Sequence, residues 1–143
     1  MITTRRIATA LALAGAAFIL YIGIGYLTVP QSMAPSFGLP AWPSGDAEAF
    51  MNLKGVRDVA SGILFLALLA TGQRFATGIA MLAMSVVPLG DMLTILRWDG
   101  STTTAITVHG FTAALVFLAG VLFVREGRTP ATATAPTRVA THA

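Results

Sequence analysis

Four long apolar stretches separated by short polar segments dominate the chain. They predict helices at about residues 7–29, 46–71, 75–97 and 102–124, each near the length needed to cross about 30 Å of hydrocarbon. The second helix reaches that length only if it begins near Asp46, a good N-cap residue, because its apolar run starts at Val56. Gly72 is well suited to end the same helix. We therefore predict an all-α fold, a four-helix transmembrane bundle.

The connections between these stretches indicate how the helices are arranged. Gln73-Arg74 and Trp98–Ser101 are tight turns, so the helices that they join should be antiparallel neighbours. The loop at residues 30–45 is proline-rich and also contains Phe37 and Trp42. This composition suits an interfacial segment that covers one mouth of the bundle.

The composition is that of a membrane protein. Of the 143 residues, 55% are hydrophobic and only 10% are charged, with a mean hydropathy of +0.77, whereas about a quarter of the residues are charged in soluble domains. The net charge of +3 is spread over segment ends, which does not suit nucleic-acid binding. The chain contains no cysteine, and this excludes disulfides, thiolate metal sites and a thiol nucleophile.

Lysine and arginine residues predict the orientation in the membrane. One end of the bundle collects Arg5, Arg6, Arg74, Arg125, Arg128 and Arg138. The other end has Lys54, Arg57 and Arg97. Because cytoplasmic segments carry the excess of positive charge, we expect a multi-pass protein of the cell membrane with both termini cytoplasmic. Residues 1–124 would form the membrane domain, and residues 125–143 a disordered cytoplasmic tail with too few apolar residues to fold alone.

Ionisable side chains interrupt three of the apolar stretches. Asp91 lies in an apolar run, where burial in hydrocarbon costs roughly 2.5–3.5 kcal/mol and a partner is expected. Counted from the loop side of the bundle, Asp58, Asp91 and His109 all lie about five to seven residues inside, or roughly 10 Å deep. The topology therefore predicts one layer of titratable groups. Pro88 should kink the third helix one turn before Asp91, because it removes a backbone N–H.

Helical spacing assigns further side chains to this layer. In the second helix, the polar positions that follow the i, i+3, i+4, i+7 pattern are Lys54, Arg57, Asp58 and Ser61. Charges on one face of a membrane helix are expected to look inward. In the fourth helix, Thr112 follows His109 on a stripe of small and polar residues that allows close approach.

In a structural interpretation, these side chains form a neutral network that fixes the helix register or binds a lipophilic small molecule. Arg57 would pair with Asp91 between two helices, and Lys54 with Asp58 as an i, i+4 pair. The balance of positive and negative charge favours this interpretation over the alternatives.

Two functional interpretations compete with the structural one. In an enzyme, Asp91 or Asp58 would act as acid or base, with His109 as partner, in the isomerisation, cyclisation or epoxide opening of a hydrophobic substrate. In a proton-coupled transporter, a carboxylate would exchange its proton for substrate, and a homo-oligomer would be needed. Lys54 and Arg57 beside the carboxylates disfavour a metal site, and no cofactor is expected. The expected partners are the lipid bilayer and a lipophilic small molecule.

Several short motifs resemble one known family. They are Ala34–Pro40 (APSFGLP), Lys54–Gly62 (KGVRDVASG), Pro88–Asp91 (PLGD) and His109-Gly110. Together they are similar to the small four-helix membrane proteins grouped as domain of unknown function 4267, from about the first helix to Val124. The resemblance implies an integral membrane bundle, and it carries no activity or ligand with it.

Overall fold

The structure is all-helical, with no strand among the residues that it describes. It is a computed structural model that describes residues 2–127, with side chains described from Thr4 onward. The five long helices are α1 (Ile2–Thr28), α2 (Ala49–Ala70), α3 (Arg74–Met84), α4 (Val86–Arg97) and α5 (Thr102–Gly127). The expected tail overlaps α5 at residues 125–127, and the rest of it lies outside the described residues.

A proline ends α1 and a glycine ends α2. Val29 has φ −141° and ψ 53° and so leaves the helical conformation immediately before Pro30, because proline restricts the residue that precedes it. At the end of α2, the N–H of Gln73 donates to the carbonyl of Leu68 across Gly72, which adopts a φ of +69°. Gly72 therefore closes α2 in a Schellman motif, as the sequence indicates.

The start of α2 differs from the sequence prediction. Asp46 lies inside a short 3₁₀ turn, Gly45–Glu48, and provides no capping hydrogen bond to α2. The loop before this turn is held instead by Gln31, whose side chain donates to the carbonyl of Pro43 and to the carboxylate of Glu48. These contacts fix the approach of the chain to α2, so a side-chain cap at Asp46 is not needed.

Helix α3 and helix α4 follow one another almost without a break. The interruption falls at Ser85, three residues before Pro88, which has no N–H to donate to the carbonyl of Met84. Proline therefore accounts for the position at which this long helix divides.

Helix α5 contains a π-helical segment that the sequence pattern does not predict. Its first turn is capped by the Ser101 hydroxyl, which accepts from the N–H of Thr104. The π segment then runs from Ala105 to Gly110, after which the α-helix resumes. Such segments occur often at functional sites, because the extra residue changes the direction of the side chains around it.

The helices pack in two pairs, α1 with α2 and α3 with α5, and α1 also contacts α5. Close approach of α1 and α2 depends on Gly23: a Cβ there would lie 2.8 Å from the backbone nitrogen of Val59. The main core lies between the pairs and consists of Ala8, Ala12, Ala16, Phe65, Met81, Ala119 and Phe123. We refer to the end of the molecule that holds residues 30–45 as the loop end.

The end opposite the loop end is closed by a polar contact between α3 and α5. The Arg74 guanidinium pairs with the Glu126 carboxylate at 2.6 Å and lies over the ring of Phe123 at 4.5 Å. This pair holds the last turn of α5 against α3, which explains why the helix continues to Gly127, past the predicted end at residue 124.

Three helical segments within the described residues are long and apolar enough to cross a membrane: Thr4–Thr28, Arg74–Arg97 and Thr102–Gly127. These are properties of a membrane protein. Helix α2 has 22 residues but is not among them, because it contains three charged residues, Lys54, Arg57 and Asp58.

Candidate ligand-binding site

A cavity of about 340 Å³ lies between the two helix pairs, on the loop-end side of the main core. All five helices line it, and the loop at residues 30–45 contributes Ser36 and Phe37. Helices α2 and α4 line it with little direct contact between them. The volume lies within the range of roughly 300–1,000 Å³ that is typical of small-molecule sites.

The cavity changes from polar to apolar along its length. In α2 the lining residues run in the order Lys54, Asp58, Ser61 and Phe65, and in α5 they run in the order His109, Thr112 and Val116. Along α4 and back into α3 they are Asp91, Pro88, Val87, Met84 and Met81, and along α1 they are Tyr26, Ile22, Ile19 and Ala16. The apolar ends of all four series belong to or pack on the main core. The cavity therefore has a polar end near the loop and an apolar end beside the core.

Lys54 and Asp58 form an ion pair at the polar end. The Lys54 ammonium lies 2.5 Å from the Asp58 carboxylate, one helical turn away in α2. The same ammonium lies over the aromatic rings of Tyr26, at 4.7 Å, and Phe37, at 5.7 Å. Asp58 is buried, with 7% of its surface exposed, whereas the Lys54 side chain is 30% exposed. Water therefore reaches the carboxylate poorly and the ammonium more easily.

Asp91 and His109 form a second contact at the polar end, between α4 and α5. The Nδ1 atom of His109 lies 3.6 Å from the Oδ2 atom of Asp91, and its Nε2 atom lies 3.0 Å from the carbonyl oxygen of Phe37. The ring of Phe37 also packs edge-on against the imidazole, with 4.8 Å between ring centroids. His109 is thus held between a carboxylate of α4 and the backbone of the loop.

The contacts of His109 differ on its two ring nitrogens. A carbonyl oxygen can only accept a hydrogen bond, so Nε2 carries a hydrogen and donates it to Phe37. The Nδ1 atom faces the Asp91 carboxyl group at 3.6 Å, which is too far for a hydrogen bond, and the two side chains form an ion pair when the imidazole is protonated.

The loop is fixed over the polar end by two neighbouring carbonyl groups. The carbonyl of Phe37 accepts from His109, and the carbonyl of Gly38 accepts from the N–H of Ser101 at 2.8 Å. Gly38 has a φ of +101°, and a Cβ there would lie 2.9 Å from the Thr104 side chain. The part of the loop that lies over the polar end is therefore the segment that contains Phe37 and Gly38.

Arg57 does not occupy the position that the sequence predicts. Its side chain is exposed on the outer surface of α2 and does not line the cavity. No ion pair joins it to Asp91 within the described part of the chain. One residue turns a helix by about 100°, so the side of α2 that directs Asp58 into the cavity turns Arg57 away from it. Asp91 contacts His109 instead.

The other expected site residues lie at the cavity. Asp58, Asp91 and His109 all line it, together with Lys54, Ser61 and Thr112. Ser61 donates its hydroxyl hydrogen to the carbonyl of Arg57. Tyr26 and the Phe37 carbonyl are site groups that sequence reasoning missed. The APSFGLP motif was the available signal for Phe37, whereas Tyr26 resembled part of a packing surface.

The chemistry available at this site is hydrogen bonding and proton exchange. No group of three or more His, Cys, Asp or Glu side chains occurs among the described residues in an arrangement able to hold a metal ion. The carboxylates have Lys54 and His109 as partners. Each carboxylate can accept a hydrogen bond from a ligand, and Lys54 can donate one.

The part of the chain that forms most of this site also matches a known protein family. Residues 16–123 match the family described as Domain of unknown function (DUF4267). The chain belongs to the DUF4267 family. The match covers the loop, most of the cavity lining and most of the core, whereas Ala8, Ala12 and Gly15 precede it. No curated protein and no solved structure matches the chain.

Proposed function

We propose that this DUF4267 protein is an integral membrane protein that binds a lipophilic small molecule in the cavity. The observation that carries the proposal is the polarity of the cavity, which is charged at the loop end and lined by apolar side chains beside the core. A site of this kind suits a molecule with one polar end and an apolar body.

The proposed arrangement is a four-helix bundle in which α3 and α4 together make one crossing. Contacts between α1 and α2 support antiparallel packing: Gly23 of α1 meets Val59, whereas Gly62, further along α2, meets Leu20 and Ala16, which lie earlier in α1. Helix α2 is long enough to cross, at about 33 Å for 22 residues. The pairing of Lys54 with Asp58 toward the cavity lowers the cost of placing their charges in the bilayer.

The test compares two glycine substitutions that differ only in relation to the cavity. Gly15 lines the cavity and Gly90 does not, and an added Cβ would meet nothing within 4 Å at either position. The protein is purified in mild detergent, and lipophilic molecules that co-purify with it are quantified by mass spectrometry. We expect Gly15→Leu to reduce a specific co-purified molecule roughly tenfold and Gly90→Leu to retain it. Equal retention in the two variants would contradict the proposal.

A second candidate function, acid–base catalysis on the bound molecule, is supported by the contact between Asp91 and His109. The two side chains lie 3.6 Å apart at the wall of the cavity, and a carboxyl group and an imidazole in that position can transfer a proton to or from a bound molecule. Incubation with the co-purified molecule in heavy water tests this function. We expect chemical conversion or deuterium uptake on carbon with the wild-type protein and neither with Asp91→Asn. Recovery of the molecule unchanged from the wild-type protein would exclude catalysis on it.

A further inference from the structure

We infer that the ligand of this cavity is an uncharged lipophilic molecule with a hydroxyl group at one end. The inference rests on the proposed function, because it concerns the chemistry of the molecule that the cavity would hold. It follows from the charge balance, from the unused hydrogen-bonding groups and from the direction of the polarity along the cavity.

The charged side chains at the polar end occur in two contact pairs. Lys54 contacts Asp58, and His109 contacts Asp91. Arg57, the next cation along α2, is exposed and does not line the cavity. No cation at the polar end is therefore left without an acidic partner to bind a carboxylate or phosphate, and no carboxylate is left alone to bind an amine.

The polar end still offers both donors and acceptors to a neutral group. Within the described residues, the Thr112 hydroxyl has no hydrogen-bond partner, and it faces the cavity one turn after His109. The Asp91 carboxylate can accept a hydrogen bond, and the Lys54 ammonium has N–H groups beyond the one used by Asp58. A hydroxyl group can donate to a carboxylate and accept from Thr112 or Lys54 at the same time. An ether or a ketone can only accept, so it can bond to Thr112 or Lys54 but cannot donate to the Asp91 carboxylate.

The apolar end determines the orientation of the molecule. Phe65, Met81 and Met84 line that end and belong to or pack on the main core. Burial of apolar surface is the main source of binding energy for a lipophilic body. The hydroxyl group should therefore lie near Asp91 and Thr112, with the chain directed toward Met81 and Met84.

The experiment uses four photoreactive probes that differ only in the head group. They share a twelve-carbon chain with a diazirine at its far end, and they carry a primary alcohol, the methyl ether of that alcohol, a carboxylic acid or a primary amine. The full-length protein is held in nanodiscs of phosphatidylcholine, and each probe is adjusted to the same concentration in the membrane. After illumination, the adducts are quantified and mapped by mass spectrometry.

We expect the alcohol to label the protein roughly tenfold more than either charged probe and several-fold more than the ether. Its adducts should map to Phe65, Met81 or Met84. They should be lost in Gly15→Leu and kept in Gly90→Leu.

Several results would overturn the inference. Labelling by the acid or the amine as strong as that by the alcohol would contradict a neutral ligand, and equal labelling by the ether would contradict the hydroxyl group. Adducts concentrated on Tyr26 or Phe37 would contradict the orientation. If no probe labels the protein while a co-purified molecule still depends on Gly15, this inference fails and the proposed function stands. If co-purification is also independent of Gly15, the proposed function fails as well.

Discussion

At the scale of single residues, the Lys54–Asp58 and Asp91–His109 contacts are held in place by different neighbouring groups. Lys54 and Asp58 lie on one helix and are covered by aromatic rings, so their pairing depends on local geometry and on burial. Asp91 and His109 come from two helices, and the loop carbonyl of Phe37 fixes the imidazole between them. Removing one partner of a buried pair costs more than removing both, because the remaining charge is left without compensation.

This difference predicts the effect of neutralising Lys54. We expect Lys54→Met to destabilise the protein by about 2–3 kcal/mol, because the buried Asp58 loses its charged partner. The double variant Lys54→Met/Asp58→Leu should recover most of this loss. The measurement is the thermal unfolding midpoint in detergent.

Arg57 provides the matched control for Lys54. It is a cation three residues away on the same helix, exposed and outside the cavity. Arg57→Met should leave the unfolding midpoint nearly unchanged. A loss of stability in Arg57→Met as large as in Lys54→Met would show that the ion pair at the cavity has no special importance.

At the scale of elements, the site depends on a short loop segment and a short irregularity in α5. The π segment, Ala105–Gly110, contains His109 and contacts α4. Residues 37 and 38 reach across to α5 through their carbonyl groups. Neither feature is a regular α-helix, yet together they position the imidazole.

Two glycines of the loop test how strongly that segment is held. Gly38 and Gly45 both have positive φ angles, +101° and +57°, but only Gly38 would place a Cβ against a neighbour, Thr104. We expect Gly45→Ala to cost about 1 kcal/mol of backbone strain. Gly38→Ala should cost a further 1–3 kcal/mol or so through the clash and should also increase cleavage of the loop by added protease. Equal effects of the two substitutions on the unfolding midpoint and on cleavage would contradict this account of the loop.

At the scale of the whole molecule, the proposed bundle depends on the path of α2. Three helical segments are apolar enough to cross a membrane by composition, and α2 is not one of them. Its charged pair faces the cavity, while residues such as Phe50, Leu53 and Ile63 are exposed on its outer surface. Arg57 is the exception, exposed on that outer surface. A mostly apolar outer surface with a charge pair turned inward is the pattern of a membrane-crossing helix that lines a polar site.

The absence of cysteine from the chain allows a direct test of this path. Ser44 and Gln73 are exposed positions before and after α2. We expect a membrane-impermeant thiol reagent applied to intact cells to label Ser44→Cys and to leave Gln73→Cys unlabelled until the cells are opened. This is the result for a crossing α2 and cytoplasmic termini. Labelling of both variants from the same side would show that α2 does not cross.

The helical class, the three strongly apolar segments and a common level for Asp58, Asp91 and His109 were accessible from the sequence. Hydropathy identifies helices that are long enough to cross a membrane, and residues counted from a common surface at a fixed rise per residue reach similar depths. This is why the three side chains could be expected at one level before any contact was known. The proline-rich and partly apolar composition of residues 30–45 likewise predicted a segment at one mouth of the bundle.

The pairing of the charges was decided by the tertiary structure. The sequence predicted that Arg57 pairs with Asp91. Successive residues of a helix point about 100° apart, so Arg57 and Asp58 face different directions. Because α2 packs against α1 with Asp58 toward the cavity, Arg57 is exposed on the outer surface. Asp91 then contacts His109, whose direction is set by a π segment and by a carbonyl 72 residues away in the chain. The depth of a residue in a membrane depends on its position along one helix, and that position can be counted in the sequence. The partner of a charge depends on the rotation of several helices about their axes, which only their packing together fixes.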